Sequence, residues 1–216
     1  VLANSKYSIL KIYEVYQINA NLVFGGRVNH EKFFYMPEIK KQNMVLSVGR
    51  LHESKGHDFV ILALSLIKES LRPTLRIMCD ASDNNYKKYL FSLAKENKVS
   101  VLIETIPEKD TCKIYNQSLF TIISPINEPC GLVPIESMAC KVPTIGVSEG
   151  GIKESIINNK TGFLVARRED LFAKKIQQLL IDGPLREEFG LMGITHSKSF
   201  NWDDYAEEIF DNLKLS

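Results

Sequence analysis

The segment Met44-Val45-Leu46-Ser47-Val48-Gly49-Arg50-Leu51-His52-Glu53-Ser54-Lys55-Gly56, with the stretch His57–Ser70 behind it, decides the fold. Met44–Val48 is a short apolar run that stops at a glycine, the pattern of a strand buried on both faces. Over His57–Ser70 the apolar residues Phe59, Val60, Leu62, Ala63, Leu66 and Ile67 recur at helical spacing. Strand, polar turn and amphipathic helix make the first part of a β-α-β unit, and the unit repeats downstream. Strands are predicted over Leu75–Cys79, Ser100–Ile103, Leu119–Ile123, Thr144–Val147 and Gly162–Val165. Helices are predicted between them over Asn84–Asn97, Lys109–Gln117, Leu132–Ala139 and Ile152–Asn158. Such alternation implies an α/β fold, a Rossmann-like doubly wound parallel sheet with helices on both faces.

The flanks read differently. Asn4–Gln17 predicts a helix and Leu22–Phe24 a short strand. After Val165 three helices follow, Asp170–Ile181, Pro184–Ser197 and Trp202–Leu213, with Asp182-Gly183-Pro184 as a stop and restart. The expected organisation is a linker-side helix over 1–20, the sheet domain over 21–198 and a terminal helix over 199–216.

Composition narrows the function. The 216 residues suffice for one large domain with its own core. The 27 basic residues against 26 acidic ones leave a net charge of +1, which gives no basic footprint for nucleic acid. Apolar runs such as Val60–Ile67 fall far short of the roughly 20 residues that span a bilayer. The start, Val1–Lys6, lacks the basic and apolar regions of a signal peptide, and without Met it does not read as a natural start. Cys79, Cys112, Cys130 and Cys140 form no Cys-x-x-Cys pair and sit in or beside apolar runs. They read as reduced, buried thiols of a cytoplasmic protein rather than zinc ligands or a disulfide scaffold.

In open parallel sheets, ligands sit outside the carboxyl ends of the strands. The segments to search are therefore Gly49–Gly56, Asp80–Asn84, Thr105–Lys109, Pro125–Gly131 and Ser148–Gly151. In the first, Arg50 and Lys55 flank a glycine-bounded loop before a helix, an arrangement suited to an anion. A pair of solvated surface cations is the plain alternative. In the fourth, seven residues separate Glu128 from Glu136, among them Pro129-Cys130-Gly131-Leu132. Glu128 can meet a polyhydroxyl ligand from the loop and Glu136 a hydroxyl pair from the helix, while Gly131 and Leu132 offer backbone N–H groups. A helix-capping Glu128 and an exposed helix carboxylate at Glu136 are the alternatives. In the fifth, Gly150-Gly151 allows either a second close approach to a ligand or a simple turn. His52 and His57 read as surface or loop histidines, not at ligand spacing.

Taken in order, Ser47-Val48-Gly49-Arg50-Leu51, Lys55-Gly56, the Glu128-x7-Glu136 pair with Ser137-Met138-Ala139, Pro143, Gly150-Gly151, Thr161-Gly162-Phe163 and Phe200-Asn201-Trp202 resemble one family. It is the C-terminal, nucleotide-sugar-binding domain of GT-B fold glycosyltransferases of family 4, also called group 1. The resemblance runs from about Ala3 to the end, and departs at Cys79 and Lys141, where the family prefers glycine.

The resemblance implies a retaining, metal-independent hexosyltransferase that takes no cofactor. Arg50 and Lys55 would neutralise the donor diphosphate, with Gly49 beside them. Glu136 would bind the ribose and Glu128 the transferred sugar near the reacting centre. Gly131 and Leu132 would give N–H groups to phosphate or sugar, and the loop at Ile106 would face the base. The implied partners are a UDP-, GDP- or ADP-linked sugar, an acceptor-binding N-terminal domain or partner chain, and a lipid-linked or glycan acceptor, at most peripheral to a membrane. A non-catalytic nucleotide-sugar-binding or assembly module, recognisable by an apolar patch at Trp202, Tyr205 and Ile209, is one alternative. An epimerase-like enzyme is another.

Overall fold

The computed structural model describes residues 1–23, 25–79 and 83–214, without the side chains of 213 and 214. Its elements in chain order are β1 (Leu2–Ala3), α1 (Lys6–Tyr16), β2 (Asn21–Leu22), β3 (Met44–Val48), α2 (His57–Ser65), β4 (Thr74–Cys79) and α3 (Asn84–Glu96). There follow β5 (Val101–Thr105), α4 (Glu108–Gln117), β6 (Thr121–Ile123), α5 (Leu132–Ala139), β7 (Thr144–Val147), α6 (Ile152–Ser155) and β8 (Gly162–Val165). The chain closes with α7 (Glu169–Ile181), α8 (Gly183–Ser197) and α9 (Trp202–Lys214).

Among the described residues, six strands form one parallel sheet in the order β5-β4-β3-β6-β7-β8. The sheet grows outward from its middle in both directions, so the order reverses between β3 and β6. These two central strands share only the register pair Leu46 and Thr121. Just beyond it their ends diverge, as expected of a doubly wound sheet at its switch point.

Strand residues alternate between two cores, as a period of two requires. Val45, Leu75, Ile77, Ile122, Ile145 and Phe163 point to one face, under α2, α3 and α7. Met44, Leu46 and Met78 point to the other, under α4 and α5. Edge-to-face rings fill both layers, Phe59 on Phe172 in the first and Phe33 on Tyr115 in the second. This is the doubly wound parallel sheet with helices on both faces that the alternation predicts.

Two helices end earlier than their periodicity predicts. The apolar pattern carries α2 to Ser70, but the helix stops at Ser65. The Arg72 guanidinium accounts for the stop, because it donates to the carbonyls of Ser65 and Ile67 and also to those of Asn97 and Lys98. A cation satisfying the orphan carbonyls of a helix end makes a further turn unnecessary. The pattern carries α6 to Asn158, but the backbone turns extended at Ile156. Asn158 instead accepts the N–H of Leu164 and bridges to Gly162, joining the edge of the sheet. The strand predicted at Leu22–Phe24 lies one residue earlier, at Asn21–Leu22, paired in parallel with Leu2–Ala3, and Phe24 is outside the described residues.

The flanking helices are tethered by polar contacts. The Glu154 carboxylate accepts the N–H groups of Lys6 and Tyr7 at the start of α1. The Tyr7 hydroxyl donates to Asn127 Oδ1 in the loop after β6. Arg27 pairs with Glu208 at 3.3 Å and lies over the Tyr205 ring, which seats α9. Trp202 and Phe210 are more than half exposed, whereas Tyr205 and Ile209 are half-buried. No helix among the described residues is long and apolar enough to cross a membrane.

Candidate functional site

A cavity of about 190 Å³ opens where β3 and β6 diverge. Ser47, Val48, Gly49 and Lys55 form one wall, and Ile123, Pro125, Glu128 and the segment 130–134 the other. The first wall is the loop after β3. Gly49 has a φ of +153°, and a Cβ there would press on the Lys55 stem at 3.2 Å. Gly56 has a φ of +67° and lies so close to the end of β6 that a Cβ would stand 2.3 Å from the Ser124 carbonyl. Both glycines are thus required by backbone conformation and close approach. Between them Glu53–Lys55 form one 3₁₀ turn, which aims Lys55 inward.

His57 holds this loop from beneath. It is fully buried, in contrast to the surface or loop position expected from the sequence. Its Nε2 lies 3.2 Å from the Arg50 carbonyl, which can only accept, so Nε2 carries the proton. Nδ1 then accepts from the Ser47 hydroxyl at 2.9 Å. Burial pushes its pKa down to about 4, so the ring is neutral near pH 7.

The second wall is the start of α5. Gly131 is its N-cap and no side chain caps the helix. Pro134 stands at the third helical position, where its missing N–H costs nothing. The N-terminus of α5, with Gly131, Leu132 and Val133 in the cavity wall, therefore presents uncapped donors and the positive end of its dipole. Across the cavity from β3's loop, Glu128 meets Lys55. Lys55 Nζ donates to Glu128 Oε2 at 2.6 Å, with side chains 23% and 21% exposed.

Glu136 lies one turn into α5 and outside this wall. The fully buried Tyr115 of α4 donates its hydroxyl to Glu136 Oε2 at 2.7 Å. Burial raises the Glu136 pKa, and the Tyr115 hydrogen bond opposes that rise. The structure thus brings together Gly49, Lys55, Glu128, Gly131 and Leu132. It leaves Arg50 exposed on the loop, and puts Ile106 on a separate groove with Gln42 and Arg76. Asp80–Ser82, in one of the segments to be searched, are outside the described residues.

The double glycine serves the protein itself rather than approaching the cavity. A Cβ at Gly150, where φ is +58°, would stand 2.5 Å from the Glu128 carbonyl, and one at Gly151 2.2 Å from that of Pro129. The Gly151 N–H donates to the Glu128 carbonyl at 2.8 Å. The glycines let the turn after β7 pack directly on the loop that carries Glu128.

Arg167, just past β8, clamps the same loop and escaped the sequence reading. It donates to the carbonyls of Ser124 and Pro125, both at 2.8 Å, and forks onto the Glu149 carboxylate. Nothing in its spacing marks the clamp, because the backbone carbonyls it holds lie more than forty residues away. Among the described residues, no group of three or more His, Cys, Asp or Glu is placed to hold a metal ion.

Several known proteins are similar to this chain. A D-inositol 3-phosphate glycosyltransferase of Corynebacterium diphtheriae is 28% identical over 171 residues, 75% of this chain and 40% of the relative. Spore coat protein SA of Bacillus subtilis is 31% identical over 179 residues, 78% of this chain and 48% of the relative. The chain thus spans about half the length, or less, of these curated relatives. Among solved structures, sucrose-phosphate synthase of Thermosynechococcus elongatus superposes with a TM-score of 0.89 at 23% identity, over 100% of this chain and 57% of that one. HepE of Anabaena, solved in complex with UDP and glucose, gives 0.89 at 19% identity, over 100% of this chain and 63% of that one. These likenesses show the fold, that of GT-B glycosyltransferases. The model of the family described as "Glycosyl transferases group 1" matches residues 28–194, most of the chain, and the protein belongs to that family.

Proposed function

We propose that this chain is the donor-binding, C-terminal lobe of a retaining, metal-independent glycosyltransferase of family 4. It binds a nucleotide-diphosphate sugar whose hexosyl group passes to an acceptor held by a second lobe, on the same chain or a partner. The observation that carries the reading is the Lys55–Glu128 pair at the uncapped start of α5, inside a cavity at the switch point of the sheet.

When the bond from the sugar's C1 to the diphosphate breaks, its electron pair stays on the phosphate oxygen. Lys55, Arg50 and the α5 N-terminus would offset that charge, the task a metal ion performs in other transferases. Glu128 would accept hydrogen bonds from the transferred sugar and Glu136 from the ribose. The Gly131 and Leu132 N–H groups would meet phosphate or sugar, Gly49 would leave room beside the diphosphate, and the Ile106 loop would border the base. UDP in the HepE structure supports a nucleotide sugar as ligand. Four buried cysteines suit a cytoplasmic setting.

Titration calorimetry with UDP-, GDP- and ADP-sugars tests the reading. One of them is expected to bind below millimolar concentration, and Lys55→Met to weaken it by tenfold or more, about 1.4 kcal/mol. Binding of none at millimolar concentration rejects the proposal.

A further inference from the structure

We propose that Tyr115 is a positioning residue for Glu136, and that it sets the preference of the site for a ribose over a deoxygenated sugar in the nucleotide. The inference rests on the reading of Glu136 as the ribose ligand.

Tyr115 has no exposed surface, and it is one of the largest side chains in the core under α4 and α5. A phenylalanine would fill that volume equally well and would bury no hydroxyl. The hydroxyl instead reaches Glu136 Oε2 at 2.7 Å, the length of a charge-assisted bond. Burial first, and the Glu136 charge second, hold the Tyr115 pKa well above its usual value, so the hydroxyl stays a donor. The ring is fixed in turn by the Phe33 edge at 5.8 Å. A rigid donor on α4 therefore fixes the carboxylate of a flexible glutamate on α5.

One bond leaves capacity to spare. An ionised carboxylate accepts about four hydrogen bonds. Among the described residues, Tyr115 takes one site on Oε2 and Oε1 has no partner. With its plane held, the free edge of Glu136 suits two adjacent hydroxyls. Without the tyrosine, the carboxylate would rotate and would also bind its proton more tightly, because the larger of the two influences that oppose the burial shift is gone and only the more distant charge of Lys32 is left.

The test compares UDP with 2′,3′-dideoxy-UDP by calorimetry on the wild type, Tyr115→Phe and Glu136→Gln. The wild type is expected to prefer UDP. Tyr115→Phe should weaken UDP by roughly tenfold and leave the dideoxy ligand unchanged. The pH above which the remaining ribose preference is reached should also move upward in this variant. Equal loss for both ligands would mark Tyr115 as a packing residue and overturn the proposal, as would no loss for either. If Glu136→Gln keeps the full ribose preference, the ribose role of Glu136 fails, and the role of Tyr115 with it. If that variant loses the preference while Tyr115→Phe keeps it, only the Tyr115 inference falls.

Discussion

At Lys55 and Glu128 the site holds opposite charges 2.6 Å apart, each mostly shielded from water. A diphosphate entering the cavity competes with Glu128 for the ammonium group and is repelled by its carboxylate. Replacing the carboxylate with an amide of the same shape removes the repulsion and weakens the competition, since the amide oxygen accepts from the ammonium without a charge. Glu128→Gln is expected to bind UDP about three- to tenfold more tightly, measured by calorimetry, while losing discrimination between UDP-sugars that differ only in the sugar. Weaker UDP binding by this variant would show that Glu128 supports the anion rather than competing with it. Both residues could be picked out from the sequence by their place after strand ends. Their pairing could not, because 73 residues and three crossovers separate them. The burial of His57 is hidden from the sequence for a related reason. A polar residue at a helix start ordinarily faces water, and only the packing of α2 against β3 reveals the two hydrogen bonds that let it be buried.

At the level of elements, periodicity located every strand of the large sheet, since buried parallel strands are short apolar runs between punctuating residues. It was least informative at helix ends, where long-range acceptors decide. The Arg72 guanidinium ends α2 by collecting carbonyls from two segments of chain, an event no local pattern announces. The turn after β7 is another case, because Gly150 and Gly151 are chosen by a neighbouring loop. Gly150→Ala combines an unfavourable left-handed conformation with a Cβ 2.5 Å from a carbonyl. It should cost about 2–4 kcal/mol and lower the melting temperature accordingly. It should also weaken UDP binding, because the Glu128 loop must shift to make room. An unchanged melting temperature would show that the loop yields freely.

At the level of the whole molecule, His57 links stability to pH. Its folded pKa of about 4 lies below the ordinary value of 6.5. The unfolded chain therefore binds the proton more readily between those values, and the stability His57 contributes is present above pH 6.5 and lost as pH falls toward 4. A shift of this size corresponds to roughly 3 kcal/mol. Urea denaturation at pH 7.5 and pH 5 is expected to show a steeper loss for the wild type than for His57→Gln. Parallel curves for the two proteins would mean that the histidine charges without cost.

The strand order β5-β4-β3-β6-β7-β8 has one more consequence, for the order of events as the chain is made. Strands β3 to β5 come from residues 44–105 and strands β6 to β8 from residues 121–165, each without interruption. During synthesis the first set can assemble before the second has emerged. Lys55 therefore belongs to the half that forms early and Glu128 to the half that forms late. The cavity comes into being only when the second half docks along the Leu46–Thr121 seam. A ligand held between Lys55 and Glu128 would fasten the two halves together, so its binding would report on that last act of assembly.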